Sequence, residues 1–195
     1  VFGASFLLFN KLTKNRLFPF GPYTLGPLPN INLEEIKKKY SKNCTFTEVE
    51  NPNYEIAKSL SEGKIIGRCS GRMEFGARAL GNRSILADPS SHEIVERVNF
   101  LIKQRDFWMP FALTILKEKH KEFTDNGKNF ECDYMTMSFD TRKKNYKKIK
   151  AGCHPYDKTV RPQILDQTSN KNFFDIINEF YKLTKIPAVL NTSLN

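Results

Sequence analysis

The stretch GRMEFGARALGNRSILADP, residues 71–89, decides how the rest of the chain is read. Arg72, Arg78 and Arg83 stand close together along it, with Glu74 set among them. Such like charges repel, and a bound polyanion is one answer to that repulsion. A solvated loop with internal salt bridges is the other. Gly71, Gly76 and Gly81 let the backbone take positive φ and approach a ligand closely. Each arginine offers a planar fork that matches phosphate or carboxylate oxygens in pairs. Glu74 would neutralise and orient one arginine and leave the others free.

Outward from this loop, KIIGRC (64–69) reads as a strand running straight into it. On its other side, SSHEIVERVNFLIK (90–103) reads as a helix capped by Ser90 and Glu93, with Ile94, Val98, Leu101 and Ile102 as one apolar stripe. NINLEEIKKKY (30–40) begins with Asn32 as N-cap and Glu35 three positions on, and NYEIAKSLSEG (53–63) reads as a helix stopped at Gly63. CTFTEV (44–49), FALTIL (111–116) and YMTMSFD (134–140) are strand-like, and NFFDIINEFYKLTK (172–185) is a strong amphipathic helix before IPAVLNTSLN. RKKNYKKIK (142–150) is a basic run of the kind usually found in a solvated or disordered loop. Strands alternating with helices predict an α/β or α+β sheet domain. Upstream, residues 1–12 suit one short helix. Pro19, Pro22, Pro27 and Pro29 with Gly21 and Gly26 then mark a linker and a domain boundary near residues 15–30.

The 195 residues fit one domain with an attached piece, and a 39% hydrophobic content is enough for a core. The sequence holds no apolar run of the length a membrane span needs, and the opening has neither the basic start nor the cleavage site of a secretory signal. The net charge of +10 favours anionic partners by long-range steering without naming them. Cys44, Cys69, Cys132 and Cys153 are widely spaced and form no CxxC pair, as expected of reduced, packed thiols in a cytoplasmic protein, and no tightly bound metal is expected.

Three further clusters could carry chemistry. IKQRDFWMPF (102–111) brings Lys103 and Arg105 off a helix end beside the apolar block 107–111. GCHPYDKTVRPQ (152–163) places His154 and Arg161 around a proline-bounded turn. LNTSLN (190–195) puts Asn191, Thr192, Ser193 and Asn195 after a buried-looking strand, where α/β sheets commonly hold ligand-binding groups. No nucleophilic triad, pair of catalytic acids or Walker loop can be assembled. The set is one of donors, suited to holding charge on a transferred phosphoryl or acyl phosphate group.

Four blocks then carry a resemblance. Residues 71–89 closely resemble the GRMEFGPRALGNRSILADP signature of the carbamoyltransferase family, which includes the nodulation protein U type and antibiotic O-carbamoyltransferases. VNFLIKQRDFWMPFA is similar to the family's next block, which usually ends in Arg-Pro-Phe-Ala. CHPYDKTVRPQ is similar to its His-x-Asp-Gly-Thr-x-Arg-x-Gln segment with one extra residue, and PAVLNTSLN to its Pro-x-x-Leu-Asn-Thr-Ser-Phe-Asn. The match covers roughly residues 60–195. It implies a YrdC-like fold, a twisted mixed β-sheet with flanking helices, over residues 21–195. Residues 1–20 would then be a remnant of an upstream catalytic domain of the actin/hexokinase-like superfamily, plus linker. The implied activity is binding of carbamoyl phosphate and ATP with Mg2+ to form carbamoyl-adenylate, after which the upstream domain of the same polypeptide passes the carbamoyl group to an acceptor hydroxyl. Lys103, Arg161 and Ser193 would grip carbamoyl phosphate and the reacting phosphates. Arg78, Arg83, Arg105, His154, Asn191 and Thr192 would serve as further substrate and nucleotide contacts.

The sequence departs from this pattern in three places. Ala77 replaces a proline, and Met109 replaces the arginine of Arg-Pro-Phe-Ala. The latter deletes a charged fork worth about 1.5–3 kcal/mol per charged hydrogen bond, unless Arg105 substitutes for it. The chain also stops short of the segment that normally follows the last block, so it reads as a fragment incomplete at its C-terminus. Two alternatives accompany the transferase reading. One is a degenerate, non-catalytic YrdC-like domain, suggested by Met109. The other is an RNA-binding module, suggested by the charge, the 142–150 run and the relation to YrdC proteins, which make threonylcarbamoyl-adenylate for tRNA modification.

Overall fold

A computed structural model describes residues 2–14, 21–23, 25–28, 30–106 and 108–194. Pro19, Pro29, Phe107 and Asn195 lie outside the described residues. Among the described residues seven strands form: β1 (Ile66–Cys69), β2 (Arg83–Ala87), β3 (Ala112–Leu116), β4 (Phe139–Asp140), β5 (Thr159–Val160), β6 (Pro162–Leu165) and β7 (Ala188–Ser193). Five of them make one mixed sheet in the order β1-β2-β7-β3-β6, parallel only between β3 and β6, and β4 and β5 pair separately. The α-helices are α1 (Phe2–Thr13), α2 (Leu33–Tyr40), α3 (Pro52–Ser61), α4 (His92–Arg97), α5 (Tyr146–Ile149) and α6 (Lys171–Thr184). The chain is thus an α/β domain with a mixed sheet and flanking helices, as its alternating pattern predicts.

The core follows from the periodicities. In α6, Phe173, Ile176, Ile177 and Phe180 recur at helical spacing and are fully buried, while Lys171, Glu179 and Lys182 face solvent or form exposed ion pairs. Asn170 caps its start by accepting from the Phe173 N–H at 3.1 Å, and Lys185 at φ 61° ends it. All five residues of β3 are buried, as its place inside the sheet between β7 and β6 requires. Asn32 and Asn51 cap α2 and α3 through the Glu35 and Tyr54 N–H groups, and Gly63 stops α3 at φ 77°.

Several expectations give way. CTFTEV is not a strand: residues 44–49 are exposed coil, because β-branched composition makes no strand without a partner edge. The single loop expected at 71–89 ends in β2, whose Ser84, Ile85, Leu86 and Ala87 are buried between β1 and β7. The 90–103 helix starts after Ser91, not Ser90, and becomes π-helical over Val98–Lys103. That extra residue per turn rotates the stripe, so Ile94 and Val98 are buried while Leu101 and Ile102 are exposed. Of 134–140 only Phe139 and Asp140 pair as a strand. The basic run is ordered: Lys143–Asn145, α5 and Lys150–Gly152 are helical turns that bury Ile149 and Ala151 and leave Lys143, Lys144, Lys147 and Lys148 exposed. Cys132 and Cys153 are packed thiols, whereas Cys44 and Cys69 are exposed. No described helix is long and apolar enough to cross a membrane.

The proline-rich segment is a strap. Leu25 and Met73 exchange backbone hydrogen bonds at 3.1 and 3.2 Å, and Phe75 N–H donates to the Pro22 carbonyl at 2.6 Å. Beneath it, Tyr23 Oη donates to the Leu80 carbonyl at 2.7 Å and accepts from Gln163 Nε2 at 2.9 Å. Burial pushes the Tyr23 phenol up from 10.0 to about 12. At the base of the loop, Gly81 sits at φ 118°, and a Cβ there would come within 2.2 Å of the Phe173 ring.

Two stability measurements check these contacts. Gly81→Ala combines positive-φ strain with overlap on a fully buried ring, and denaturant unfolding is expected to show a loss of about 2–4 kcal/mol. For Tyr23, the folded pKa of about 12 lies above the ordinary 10.0, so its contribution is complete below pH 10 and lost as pH rises towards 12. The stability gap between the chain and Tyr23→Phe should therefore shrink by about 2–3 kcal/mol over that window.

Candidate functional site

The arginine loop is organised by one carboxylate. Glu74, 7% exposed, receives the backbone N–H groups of Leu80, Asn82 and Arg83 on Oε1 at 3.0, 2.6 and 3.0 Å. It does not form an ion pair with an arginine of its loop, as the sequence suggests, because three backbone donors surround it first. The arginines divide accordingly. Arg72 Nε donates to the Gly26 carbonyl of the strap at 2.6 Å. Arg83 spends its guanidinium on the carbonyls of Ser70, Asn82 and Gly71 at 2.8, 2.8 and 3.0 Å. Arg78 is exposed and has no hydrogen-bond partner among the described residues.

Arg78 borders a cavity of about 300 Å³, walled also by Lys103, Arg105, Phe111, Arg161 and the end of β7. Four cations therefore line it, and no Asp or Glu is among the lining residues. Lys103, delivered by the last π turn, donates to the Ser193 carbonyl at 2.8 Å and meets Ser193 Oγ at 3.1 Å, tying the helix end to β7. Arg105 lies over the Phe111 ring, 4.3 Å from its centroid, and donates from Nε to Asn99 Oδ1 at 2.6 Å. Gln104, left-handed at φ 46°, turns the chain between them. Arg161 leaves the short β5–β6 segment.

The electrostatics agree with the inventory of charges. Burial lowers the pKa of Arg161, Lys103 and Arg105. Arg78 adds to the effect on Arg161, and Arg105 to that on Lys103. Arg161 Nε, Arg105 Nη2 and Asn191 Oδ1 are buried polar atoms without a partner, and all three belong to residues of this one cavity. A buried unmade hydrogen bond costs about 1–3 kcal/mol, so three in one place make this cavity the candidate functional site.

Of the residues singled out in the sequence, Arg78, Lys103, Arg105, Arg161, Asn191, Thr192 and Ser193 come together around the cavity. Arg83 does not join its lining, and His154 is exposed and 3.2 Å from Asp157 on the surface. The Met109 side chain is not part of the lining either; its carbonyl accepts from Asn99 Nδ2 at 3.1 Å. Sequence reasoning missed Arg68 and Asn99. Arg68, 4% exposed, braces the loop by donating to Gly81 O, to Asn82 Oδ1 at 3.2 Å and to Asn172 Oδ1 at 2.6 Å. The available signal was an arginine inside a strand pattern, at a position whose neighbours are apolar.

Comparison with known proteins shows the family. Residues 57–195 match the family described as Carbamoyltransferase C-terminus. Nodulation protein NolO of Bradyrhizobium diazoefficiens is 39% identical over 138 residues, 70% of this chain and 25% of that protein. Nodulation protein NolNO of Sinorhizobium fredii is 38% identical over 140 residues, 71% of this chain and 20% of its own length. An uncharacterized protein of Methanocaldococcus jannaschii, MJ1051, is 39% identical over 164 residues, 84% of this chain and 31% of that protein. The chain spans less than a third of the length of these relatives. With its family match laid over the sheet and the cationic cavity, the chain belongs to the carbamoyltransferase family and carries that family's C-terminal domain.

Proposed function

We propose that the cavity binds carbamoyl phosphate together with magnesium-ATP and forms carbamoyl-adenylate, from which the carbamoyl group passes to an acceptor hydroxyl. The observation that supports this most is the ring of Arg78, Lys103, Arg105 and Arg161 with no acid among the lining residues. A phosphate monoester carries close to two negative charges, and a nucleotide brings more, so an anionic pair of substrates relieves the mutual repulsion of these cations. A carbamate oxygen, released from carbamoyl phosphate when water displaces phosphate, attacks the nucleotide α-phosphorus. A new P–O bond forms there as pyrophosphate leaves. Charge builds on the α-phosphoryl oxygens during that exchange, and preplaced guanidinium and ammonium donors stabilise it without reorganising.

Lys103 is steadied for this role by Ser193, and Arg161 adds a second cation to the same lining. A second opening of about 450 Å³, lined by Phe100, Gln104, Arg105 and Asp106, shares Arg105 with the first and offers room for the nucleotide. The residues of the main cavity do not fit a magnesium ion of their own. Its lining has no carboxylate, and among the described residues no three His, Cys, Asp or Glu side chains converge. Magnesium would travel on the phosphate oxygens of the nucleotide, and no step is assigned to it. Transfer to the hydroxyl would fall to an upstream catalytic domain of the kind the longer relatives have room for.

Calorimetric titration with magnesium-ATP, with and without carbamoyl phosphate, tests this reading. Binding should strengthen when both are present, and Arg161→Ala or Lys103→Ala should each weaken it about 10–100-fold, the loss of one or more charge-assisted hydrogen bonds. Neutralising Lys143, Lys144, Lys147 and Lys148 should leave it unchanged, whereas an RNA-binding module would lose its ligand on that change. Tight binding that survives both cavity substitutions would sink the assignment.

A further inference from the structure

Among so many donors, Asn191 brings the cavity an unpaired acceptor. Asn191 is 2% exposed and sits in the cavity wall at the end of β7. Its Nδ2 donates to the Ala79 carbonyl at 3.1 Å and to Thr114 Oγ1 at 3.0 Å, and its Oδ1 accepts nothing.

The amide cannot turn round to hide that oxygen. The Ala79 carbonyl can only accept, so it requires the nitrogen side. Thr114 gives its one hydroxyl hydrogen to Gln163 Oε1 at 2.9 Å, which leaves only lone pairs for Asn191. Gln163 is itself fixed, because its Nε2 donates to Tyr23 Oη at 2.9 Å and Tyr23 in turn donates to the Leu80 carbonyl at 2.7 Å. Sheet register makes this chain possible. Thr114 stands opposite Gln163 across β3 and β6, and Asn191 opposite Ala112, two residues along the same face of β3. Two backbone carbonyls at the ends of a four-side-chain relay thus set which way the Asn191 oxygen is presented. A buried oxygen fixed in this way and left unpaired calls for an N–H from outside the protein.

We propose that Asn191 Oδ1 accepts an N–H of the bound ligand and selects the amide end of a carbamoyl group against acyl phosphates of the same shape. This rests on the carbamoyl phosphate reading above and deepens it. Acetyl phosphate has the same phosphate, the same carbonyl and nearly the same volume, but a methyl group where carbamoyl phosphate has –NH2. The cations grip both equally. Only the second satisfies Asn191, and a site built around a hydrogen bond rejects the analogue that cannot make it. Tyr23, Gln163 and Thr114 act through Asn191 and are positioning residues.

Titrating the unmodified chain with carbamoyl phosphate and, separately, acetyl phosphate decides the matter. The expected result is a dissociation constant at least about tenfold lower for carbamoyl phosphate. Asn191→Leu should bring the ratio to about one by weakening carbamoyl phosphate alone, and Thr114→Val, which frees the amide to turn, should lower the ratio part of the way. A ratio near one on the unmodified chain, with both ligands bound, overturns the assignment to Asn191 and leaves the anion-binding function standing. Binding of neither overturns both. The deciding comparison uses two ligands on one protein, so it does not depend on whether Asn191→Leu folds.

Discussion

The site depends on where the Glu74 carboxylate spends its charge. A loop with three arginines invites ion pairing, and a paired arginine is poorly available to a ligand. Here three backbone N–H groups converge on Glu74 Oε1, and each charge-assisted bond is stronger than its neutral counterpart. The loop closes around its own acid. Arg72 and Arg83 are absorbed by carbonyls of the strap and of the loop base, which are partners without net charge. Arg78 keeps its full charge at the cavity rim. The loop is thereby tied together by hydrogen bonds without giving up its positive charge, which internal salt bridges would have cancelled.

The same economy governs the rest of the wall. Desolvation disfavours each buried cation, and the lining cations disfavour one another, as the lowered pKa values of Arg161 and Lys103 record. The protein tolerates this strain because the holding contacts are neutral ones. Ser193 steadies Lys103, Asn99 and the Phe111 ring steady Arg105, and the Asn82 and Asn172 amides steady Arg68 behind the loop. On the proposed reading, an anionic ligand would offset the mutual repulsion of these cations, so affinity for charge would be stored in the fold itself.

Most elements were legible because their apolar spacing is decisive. The α6 stripe, the apolar run of β3 and the asparagine caps of α2 and α3 leave little choice of conformation. The gathering of seven site residues was also legible in outline, since loop ends and strand ends are where such groups meet. What escaped was non-local. CTFTEV has strand composition but no partner edge, and β2 was hidden in a stretch whose arginines and glycines look like loop. Arg68 carries no local mark of burial beyond its apolar neighbours. Tyr23 belongs to a proline-rich segment that reads as linker until the 71–75 backbone is seen to pair with it. Each of these is fixed by contacts far away in sequence, which periodicity cannot register.

The π turn at Val98–Lys103 explains both a failed stripe and the way the candidate site is assembled. A regular α-helix would carry Leu101 and Ile102 along the buried line begun by Ile94 and Val98. The wider turn advances the backbone by one residue, exposes those two side chains and brings Lys103 round to Ser193. The next residues follow from the same shift. Gln104 reverses the chain in the left-handed region, and Arg105 drops onto Phe111 inside the cavity. Asn99, fully buried in the π turn, holds Arg105 through Oδ1 and the Met109 carbonyl through Nδ2, so one side chain spans the whole bend. Position 109 is then a point where the backbone is fastened, with its side chain outside the cavity lining. Met109 leaves that position without a charge, and Arg105 is one of the four cations that line the cavity.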